Sequence, residues 1–302
     1  MRGRDRRTGT SVRGWRLAAL CAVVASVATA CANVPPPAGA APLRYRDVVF
    51  GSVSTTSNIP YGVADDQFGI PVTLYLDLYQ PAGDTAAKRP AIVWVHGGAF
   101  SSGDKTSPEL VDEARVFASK GYVNVSIDYR LAPGGCSFAS PTDACRQGIV
   151  DAQHDAQAAV RWLRVNATTY RIDPNRIAIG GTSAGAITAL QVAYRPYDPG
   201  TSGNPGVPSN VEAVQSLSGT ALPTSLPGPG APPAILFHGT DDPLVPYTYA
   251  VQTMAAAQAR HDVALLESFP GAGHVPYQFR DVILDQTANF LYAYLDLAHA
   301  QR

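Results

Sequence analysis

Short runs of almost purely apolar residues recur along the chain, and stretches with helical periodicity separate them. Residues 91–95, which read AIVWV, form the clearest of these runs. A strand that is apolar on both sides is typical of a sheet whose two faces are both covered by helices. The alternation of such strands with helices therefore predicts an α/β fold with a mostly parallel sheet.

Eight segments carry the residue types of strands, and five carry the periodicity of helices. The predicted strands are 46–53, 72–79, 91–96, 123–128, 176–180, 213–217, 234–238 and 264–269. The predicted helices are 108–119, 149–165, 184–194, 247–260 and 278–298. We find no internal repeat, and the Pro- and Gly-rich stretches 195–210 and 223–233 are interpreted as surface excursions.

Residues 1–30 have the organisation of a secretory signal peptide. Six arginines precede an apolar run at 17–30, and that run ends in Ala-Thr-Ala, which is typical of signal peptidase sites. The run contains about fourteen residues, too few for a permanent membrane-spanning helix. We therefore predict that residues 1–30 are a signal peptide and that the protein is exported.

Cys31 follows the predicted cleavage site directly, and the sequence Ala-Thr-Ala-Cys resembles the lipobox of bacterial lipoproteins. If Cys31 is lipidated, the Pro- and Ala-rich residues 31–44 form a tether between the membrane and a domain at 45–302. Free secretion is the alternative. The sequence predicts one of these two outcomes, a secreted protein or a cell-envelope lipoprotein.

The charge balance argues against nucleic acid as a partner. The whole chain has a net charge of −1 at pH 7, and residues 1–30 alone carry +5, so the remainder is mildly acidic. No basic cluster lies outside that first segment. We therefore expect no nucleic-acid partner. No pattern in the sequence indicates the oligomeric state.

Cys136 and Cys145 lie nine residues apart in a segment with the composition of a loop. In the oxidising compartment of an exported protein, such a pair forms a disulfide. The alternative is two unrelated thiols. No other Cys or His lies near them in the sequence, which argues against a metal site. We predict a disulfide that pins a surface loop.

Residues 181–185 read Gly-Thr-Ser-Ala-Gly and fit the pattern G-x-S-x-G. A nucleophilic serine needs a sharp strand-to-helix turn, which small residues two places before and after it make possible. The predicted strand 176–180 leads into the turn, and the predicted helix 184–194 leads out of it. We therefore predict that Ser183 is a nucleophile. The alternative is an ordinary Gly-rich turn, such as one that binds phosphate.

His96, Gly97 and Gly98 lie where the predicted strand 91–96 ends. The tetrahedral intermediate of acyl transfer carries an oxyanion that backbone N–H groups stabilise, and glycines let those groups approach closely. We predict that the amides of Gly97, Gly98 and Ala184 form this oxyanion hole. His96 is predicted to hold the loop through hydrogen bonds rather than to act as a base.

Two later loops supply a candidate acid and a candidate base. Asp241 and Asp242 both follow the predicted strand 234–238. We assign Asp242 as the acid that orients the base, and Asp241 as a capping or solvent-exposed neighbour. Of the six histidines, only His274 combines a glycine-flanked loop with a position after the acid and near the end of the chain. We predict that His274 is the base.

Together these motifs resemble the α/β-hydrolase superfamily and, within it, the carboxylesterases and hormone-sensitive-lipase-like esterases. The resemblance rests on HGGAF (96–100), DYRLAP (128–133), GTSAG (181–185), HGTDDPLVP (238–246) and GAGH (271–274), and it covers roughly residues 45–298. It implies the α/β-hydrolase fold, a mostly parallel eight-stranded sheet with helices on both faces. It also implies a serine hydrolase that uses Ser183, Asp242 and His274, in the chain order of this fold, without metal or organic cofactor.

The predicted reaction is hydrolysis of a small-molecule ester with a short or medium acyl group, since no long amphipathic lid helix is evident. Residues 72–81 resemble bacterial acetyl-xylan and feruloyl-type esterases instead, so a polysaccharide esterase is one alternative. A serine peptidase of the prolyl-oligopeptidase type is another, although the HGG motif favours esterases. A non-catalytic binding protein on the same scaffold is a third, and the complete set of predicted catalytic residues argues against it.

Overall fold

The computed structural model describes residues 41–137 and 140–300. The predicted signal peptide, Cys31 and most of the predicted tether lie outside the described residues. The strands are β1 (Val53–Asp65), β2 (Pro71–Pro81), β3 (Arg89–Val95), β4 (Val123–Ile127), β5 (Ile172–Thr182), β6 (Ala213–Leu217), β7 (Ala234–Gly239) and β8 (Ala264–Phe269). The helices are α1 (Pro108–Lys120), α2 (Asp143–Val165), α3 (Ala167–Tyr170), α4 (Ala184–Tyr194), α5 (Tyr247–Gln258) and α6 (Arg280–Tyr294).

These strands form one eight-stranded sheet in the order β1-β2-β4-β3-β5-β6-β7-β8. Strand β2 runs antiparallel to both of its neighbours, β1 and β4. Every other pair of neighbouring strands is parallel. The predicted mostly parallel sheet is therefore confirmed.

The sheet has a buried apolar core on each face. Helices α2, α4 and α5 cover one face, and α1 and α6 cover the other. In β3, Val93 and Val95 point into the first core, while Ile92 and Trp94 point into the second. Burial of one large apolar side chain contributes about 1.5–3 kcal/mol relative to exposure. Burial on both faces explains why this strand contains so few polar residues.

The first predicted strand, 46–53, is wrong. The amides of Val49 and Phe50 both donate to the carbonyl oxygen of Ser119 at the end of α1, at 2.9 Å, so this segment caps a helix instead of joining the sheet. The actual edge strand, β1, begins at Val53 and is mostly exposed. An edge strand of this kind carries polar residues, a proline and register shifts, so a search for apolar runs does not detect it.

Helix α2 begins six residues before its predicted start, 149, at Asp143. The Thr142 side chain caps it by accepting a hydrogen bond from the Cys145 amide at 3.1 Å. Cys145 is joined to Cys136 by a disulfide, with the two Cα atoms 4.8 Å apart. The disulfide thus ties the loop before the helix to its first turn. Within residues 41–137 and 140–300, none of the helices is long and apolar enough to span a membrane.

Candidate active site

Ser183 occupies the sharp turn between β5 and α4, as the G-x-S-x-G pattern predicts. Its backbone has φ 55° and ψ −117°, a conformation that costs free energy for any residue with a side chain. The Ser183 amide donates to the Leu217 carbonyl oxygen at 2.8 Å, and the Ser183 carbonyl accepts from Ile187 at 3.0 Å. Neighbouring strand and helix therefore hold the turn in place. The strained backbone is a feature that functional sites accumulate.

The two glycines of the motif leave no room for a side chain. A Cβ atom at Gly185 would lie 1.9 Å from the Val95 carbonyl oxygen, and one at Gly181 would lie 2.5 Å from the same atom. The end of β3 thus packs directly against the turn that carries Ser183. Any larger residue at either position would displace that strand or the serine.

His274 links Ser183 to Asp242. Its Nε2 atom lies 2.8 Å from Ser183 Oγ, and its Nδ1 atom lies 2.7 Å from Asp242 Oδ2. A carboxylate only accepts, so Nδ1 carries the hydrogen and Nε2 is free to accept from the serine hydroxyl. The Asp242 side chain is fully buried, while His274 remains 16% exposed. This arrangement allows Nε2 to take a proton from Ser183.

The backbone distinguishes Asp242 from its neighbour Asp241. Asp242 Oδ1 accepts hydrogen bonds from the amides of Leu244 at 2.9 Å and Val245 at 3.0 Å, which leaves Oδ2 turned toward His274. Asp241 is exposed, and its carboxylate accepts only from the adjacent Thr240 hydroxyl among the hydrogen bonds of the described residues. The structure therefore brings Asp242, and not Asp241, to His274.

His96 holds the loop that follows β3. Its Nδ1 atom lies 2.6 Å from the Gly97 carbonyl oxygen, an acceptor, so Nδ1 donates. The ring is 1% exposed and stacks on Tyr129, and the Tyr129 hydroxyl donates to the His96 carbonyl oxygen at 3.1 Å. Burial lowers the pKa of His96, which keeps the ring neutral. These contacts suit the predicted role of a loop support.

The predicted oxyanion hole lies around Ser183. A Cβ atom at Gly97 would lie only 3.3 Å from the Ser183 Cβ, so the glycine backbone sits directly beside the serine. Gly98 has φ +110°, and its carbonyl oxygen accepts from the amides of Ser101 and Ser102 at 3.0 Å. Ala184 is the first residue of α4, where amides have no partner within the helix. That the amides of Gly97, Gly98 and Ala184 act as oxyanion donors stays a prediction.

Two residues that support the site were not predicted from the sequence. The Ser218 hydroxyl accepts a hydrogen bond at 3.0 Å from the amide of Val275, the residue after His274. The Gln215 side-chain oxygen accepts from the amide of Gly181 at 3.1 Å. Both lie on or just after β6, and no motif marks them. Their contribution arises from strand pairing, which brings β6 next to β5.

A cavity of about 460 Å³ opens above Ser183 and His274. Ser101, Ser102, Ser107 and Glu109 contribute a polar wall, and Leu244 and Val275 contribute an apolar one. Among the described residues that line it, Glu109 is the one carboxylate, and none is Lys or Arg. The part of the chain that the structure describes holds no group of three or more His, Cys, Asp or Glu side chains suited to a metal ion.

Two family models match the chain. The BD-FAE family matches residues 76–204, and the Phospholipase/Carboxylesterase family matches residues 144–293. The two matches overlap across the turn that carries Ser183. Together they extend from β2 to the last helix.

Known proteins resemble parts of the chain. Para-nitrobenzyl esterase of Bacillus subtilis (strain 168) is 32% identical over 127 residues, which are 41% of this chain and 24% of the esterase. Human carboxylesterase 5A is 34% identical over 141 residues, 46% of this chain and 22% of that protein. The chain thus spans about a quarter of the length of the curated relatives that it matches.

Solved structures match over most of their length. The propionate-bound form of the thermophilic esterase Est2 from Thermogutta terrifontis superimposes with a TM-score of 0.63 at 25% identity, covering 74% of this chain and 90% of that one. The native form has a TM-score of 0.64 at 24% identity and covers 83% of this chain and 95% of that one.

Proposed function

The chain belongs to the α/β-hydrolase superfamily, and on that premise we propose that it hydrolyses carboxylic esters with Ser183 as the nucleophile. The observation that carries the proposal is the hydrogen-bonded series from Ser183 Oγ through His274 to Asp242. A serine hydroxyl is a weak nucleophile until an adjacent base accepts its proton, and this series supplies the base together with the acid that orients it.

The reaction takes place in two halves. His274 Nε2 accepts the proton of Ser183 as Oγ attacks the ester carbonyl, and the amides of Gly97, Gly98 and Ala184 stabilise the oxyanion. The carbon–oxygen bond to the alcohol then breaks, and the alcohol leaves with the proton from His274. A water molecule attacks the acyl-serine with His274 again as the base. Collapse of this second intermediate releases the acid and restores Ser183.

Short acyl groups are the proposed substrates. The cavity of about 460 Å³ lies in the lower half of the range for ligand sites, which favours a short acyl chain. Support also comes from the similar Est2 of Thermogutta terrifontis, whose structure has been determined with propionate bound.

Export to an oxidising compartment is part of the same proposal. The Cys136–Cys145 disulfide supports it, because structural disulfides persist in secreted and envelope proteins and are rare in the cytosol. Lipidation of Cys31 is a further proposal that mass spectrometry of the mature protein would test.

Turnover and covalent labelling test the proposed activity together. We expect the purified protein to hydrolyse p-nitrophenyl acetate and butyrate faster than the laurate, because the cavity is small. A fluorophosphonate probe should modify one peptide, the one that contains Ser183, at the rate at which activity is lost. Labelling of another residue, or faster cleavage of aminoacyl nitroanilides than of esters, would contradict the proposal.

Glu109 is expected to select substrates by charge. A lone carboxylate in the cavity attracts a cationic alcohol and repels an anionic one. We expect Glu109→Gln to lower the ratio of kcat/KM for acetylcholine to that for its neutral isostere 3,3-dimethylbutyl acetate. The change should be roughly 3- to 10-fold, because the cavity is open to solvent that screens the charge.

The exposed carboxylate of Glu212, which accepts a hydrogen bond from Asn210, provides the matched control. Glu212→Gln removes the same charge without touching the cavity and should leave the ratio unchanged. Added salt should reduce the ratio in the wild type and have little effect in Glu109→Gln. An unchanged ratio in Glu109→Gln would show that Glu109 plays no part in the choice of substrate.

A further inference from the structure

A second imidazole, that of His238, lies against the acid of the site. His238 is the second-last residue of β7, and its side chain is fully buried. Its Nε2 atom lies 2.8 Å from the Val245 carbonyl oxygen and 3.2 Å from Asp242 Oδ2. Both neighbours are acceptors, so Nε2 must carry a hydrogen. Asp242 Oδ2 is the same oxygen that accepts from His274.

The other nitrogen of His238 fixes the charge of the ring. Nδ1 is buried and has no hydrogen-bond partner among the described residues. A second proton there would leave an unpaired, charged N–H group away from water, which is costly. Burial accordingly lowers the pKa of His238. At neutral pH the ring is therefore neutral, with its single N–H directed at Val245 and beside Asp242.

These contacts constrain both oxygens of the Asp242 carboxylate. The His238 N–H fixes the Val245 carbonyl, and the amide of Val245 donates to Asp242 Oδ1 at 3.0 Å. The same N–H dipole lies beside Oδ2 and offsets part of its negative charge. His238 thus acts on the acid through the backbone and through space.

We propose that His238 is a positioning residue. It keeps the Asp242 carboxylate oriented to accept from His274, and it reduces the negative charge of Asp242 Oδ2 that acts on His274. This inference rests on the proposed function, because it presupposes that Asp242 and His274 act as acid and base. It assigns a role to the first residue of HGTDDPLVP, a motif of which only the aspartates were given roles from sequence.

A pH dependence follows from this role. Among the described residues, the Asp242 carboxylate contacts His274, His238 lies against Asp242, and Glu109 lines the same cavity as His274; the Tyr247 ring faces His238 at 6.0 Å. Without the His238 N–H dipole, Oδ2 attracts the protonated ring of His274 more strongly. The acid limb of the kcat/KM profile then shifts to higher pH.

Two variants separate positioning from packing. His238→Phe keeps an aromatic ring against Tyr247 but removes the N–H, and His238→Gln places an amide N–H near the position of Nε2. For p-nitrophenyl butyrate, we expect His238→Phe to lower kcat roughly 10- to 100-fold with little change in KM, and to shift the acid limb upward. In His238→Gln, the acid limb of the kcat/KM profile should lie where it does in the wild type, and most of kcat should be retained.

Measurements on the wild-type protein keep the proposal testable if a variant does not fold. Long-range ¹H–¹⁵N spectra should show His238 as the neutral Nε2–H tautomer throughout pH 5.5–8. Titration of His238 in that interval, or a hydrogen on Nδ1, would overturn the proposal. Equal losses of kcat in His238→Phe and His238→Gln, without a shift of the acid limb of the kcat/KM profile, would also overturn it. Failure of the proposed function is distinct, because the wild type would then not hydrolyse esters at all.

Discussion

Ser183→Ala is expected to lower kcat for hydrolysis of p-nitrophenyl butyrate by a factor on the order of 10⁶. The substitution removes the oxygen that lies 2.8 Å from His274 Nε2, so no acyl-enzyme can form. Residual turnover should come only from the oxyanion donors and from substrate binding. Steady-state assays at high enzyme concentration, with active-site titration of the wild type as reference, would measure the loss.

The fold should survive this change, because alanine occupies the same turn with one atom fewer. Circular dichroism and the unfolding temperature should match those of the wild type. Ser54→Ala, on the exposed edge strand β1, serves as a control that removes a hydroxyl elsewhere. Activity retained by Ser183→Ala, at more than a few per cent of the wild type, would rule out Ser183 as the nucleophile.

Asp242→Asn is expected to lower kcat by about 10⁴-fold. Asparagine fills the same space, but its amide can donate to His274 Nδ1, which then turns to the tautomer whose Nε2 carries the hydrogen. That tautomer cannot accept the proton of Ser183. Because the defect lies in the base and not in binding, KM should change much less than kcat.

The neighbouring aspartate provides the control. Asp241→Asn alters the same loop by the same atoms, yet Asp241 is exposed and its carboxylate accepts from the Thr240 hydroxyl. It should keep activity within about two-fold of the wild type, since surface substitutions of this kind have small effects. If the two variants behaved alike, the assignment of the acid would be wrong, and the loop itself would be the sensitive element.

Much of the site could be predicted because of where parallel strands end. The residues after β3, β5, β7 and β8 all lie at the carboxyl edge of one sheet, so motifs distant in sequence converge there. His96, Ser183, Asp242 and His274 each follow or end a strand. Hydrogen bonds join Ser183, His274 and Asp242, and His96 supports the loop that lies beside Ser183. The mostly parallel sheet was predicted from apolar runs that alternate with helical stretches, and the superfamily was predicted from the motifs; both predictions are confirmed.

Other contacts could not be predicted, because they depend on which strands pair and which loops pack together. Ser218 supports the loop of His274 from the end of β6, and the sequence around it carries no motif. Strand β1 was not predicted because its residues are mostly exposed. The β-branched residues that suggested a strand at 46–53 belong instead to a segment that caps α1. A pattern of apolar residues predicts which residues are buried, but it does not predict which strands pair or which loops pack against each other.

The wall that carries the serines and Glu109 has an evolutionary consequence. All of its members lie between the end of β3 and the first turn of α1, in one continuous stretch of chain. Ser183, Asp242 and His274 come from three other stretches. An insertion or exchange confined to residues 101–109 can therefore change which alcohol fits, while Ser183, Asp242, His274 and the predicted donors Gly97 and Gly98 keep their places. The polar wall of the cavity can thus vary without a change in the residues that are proposed to react.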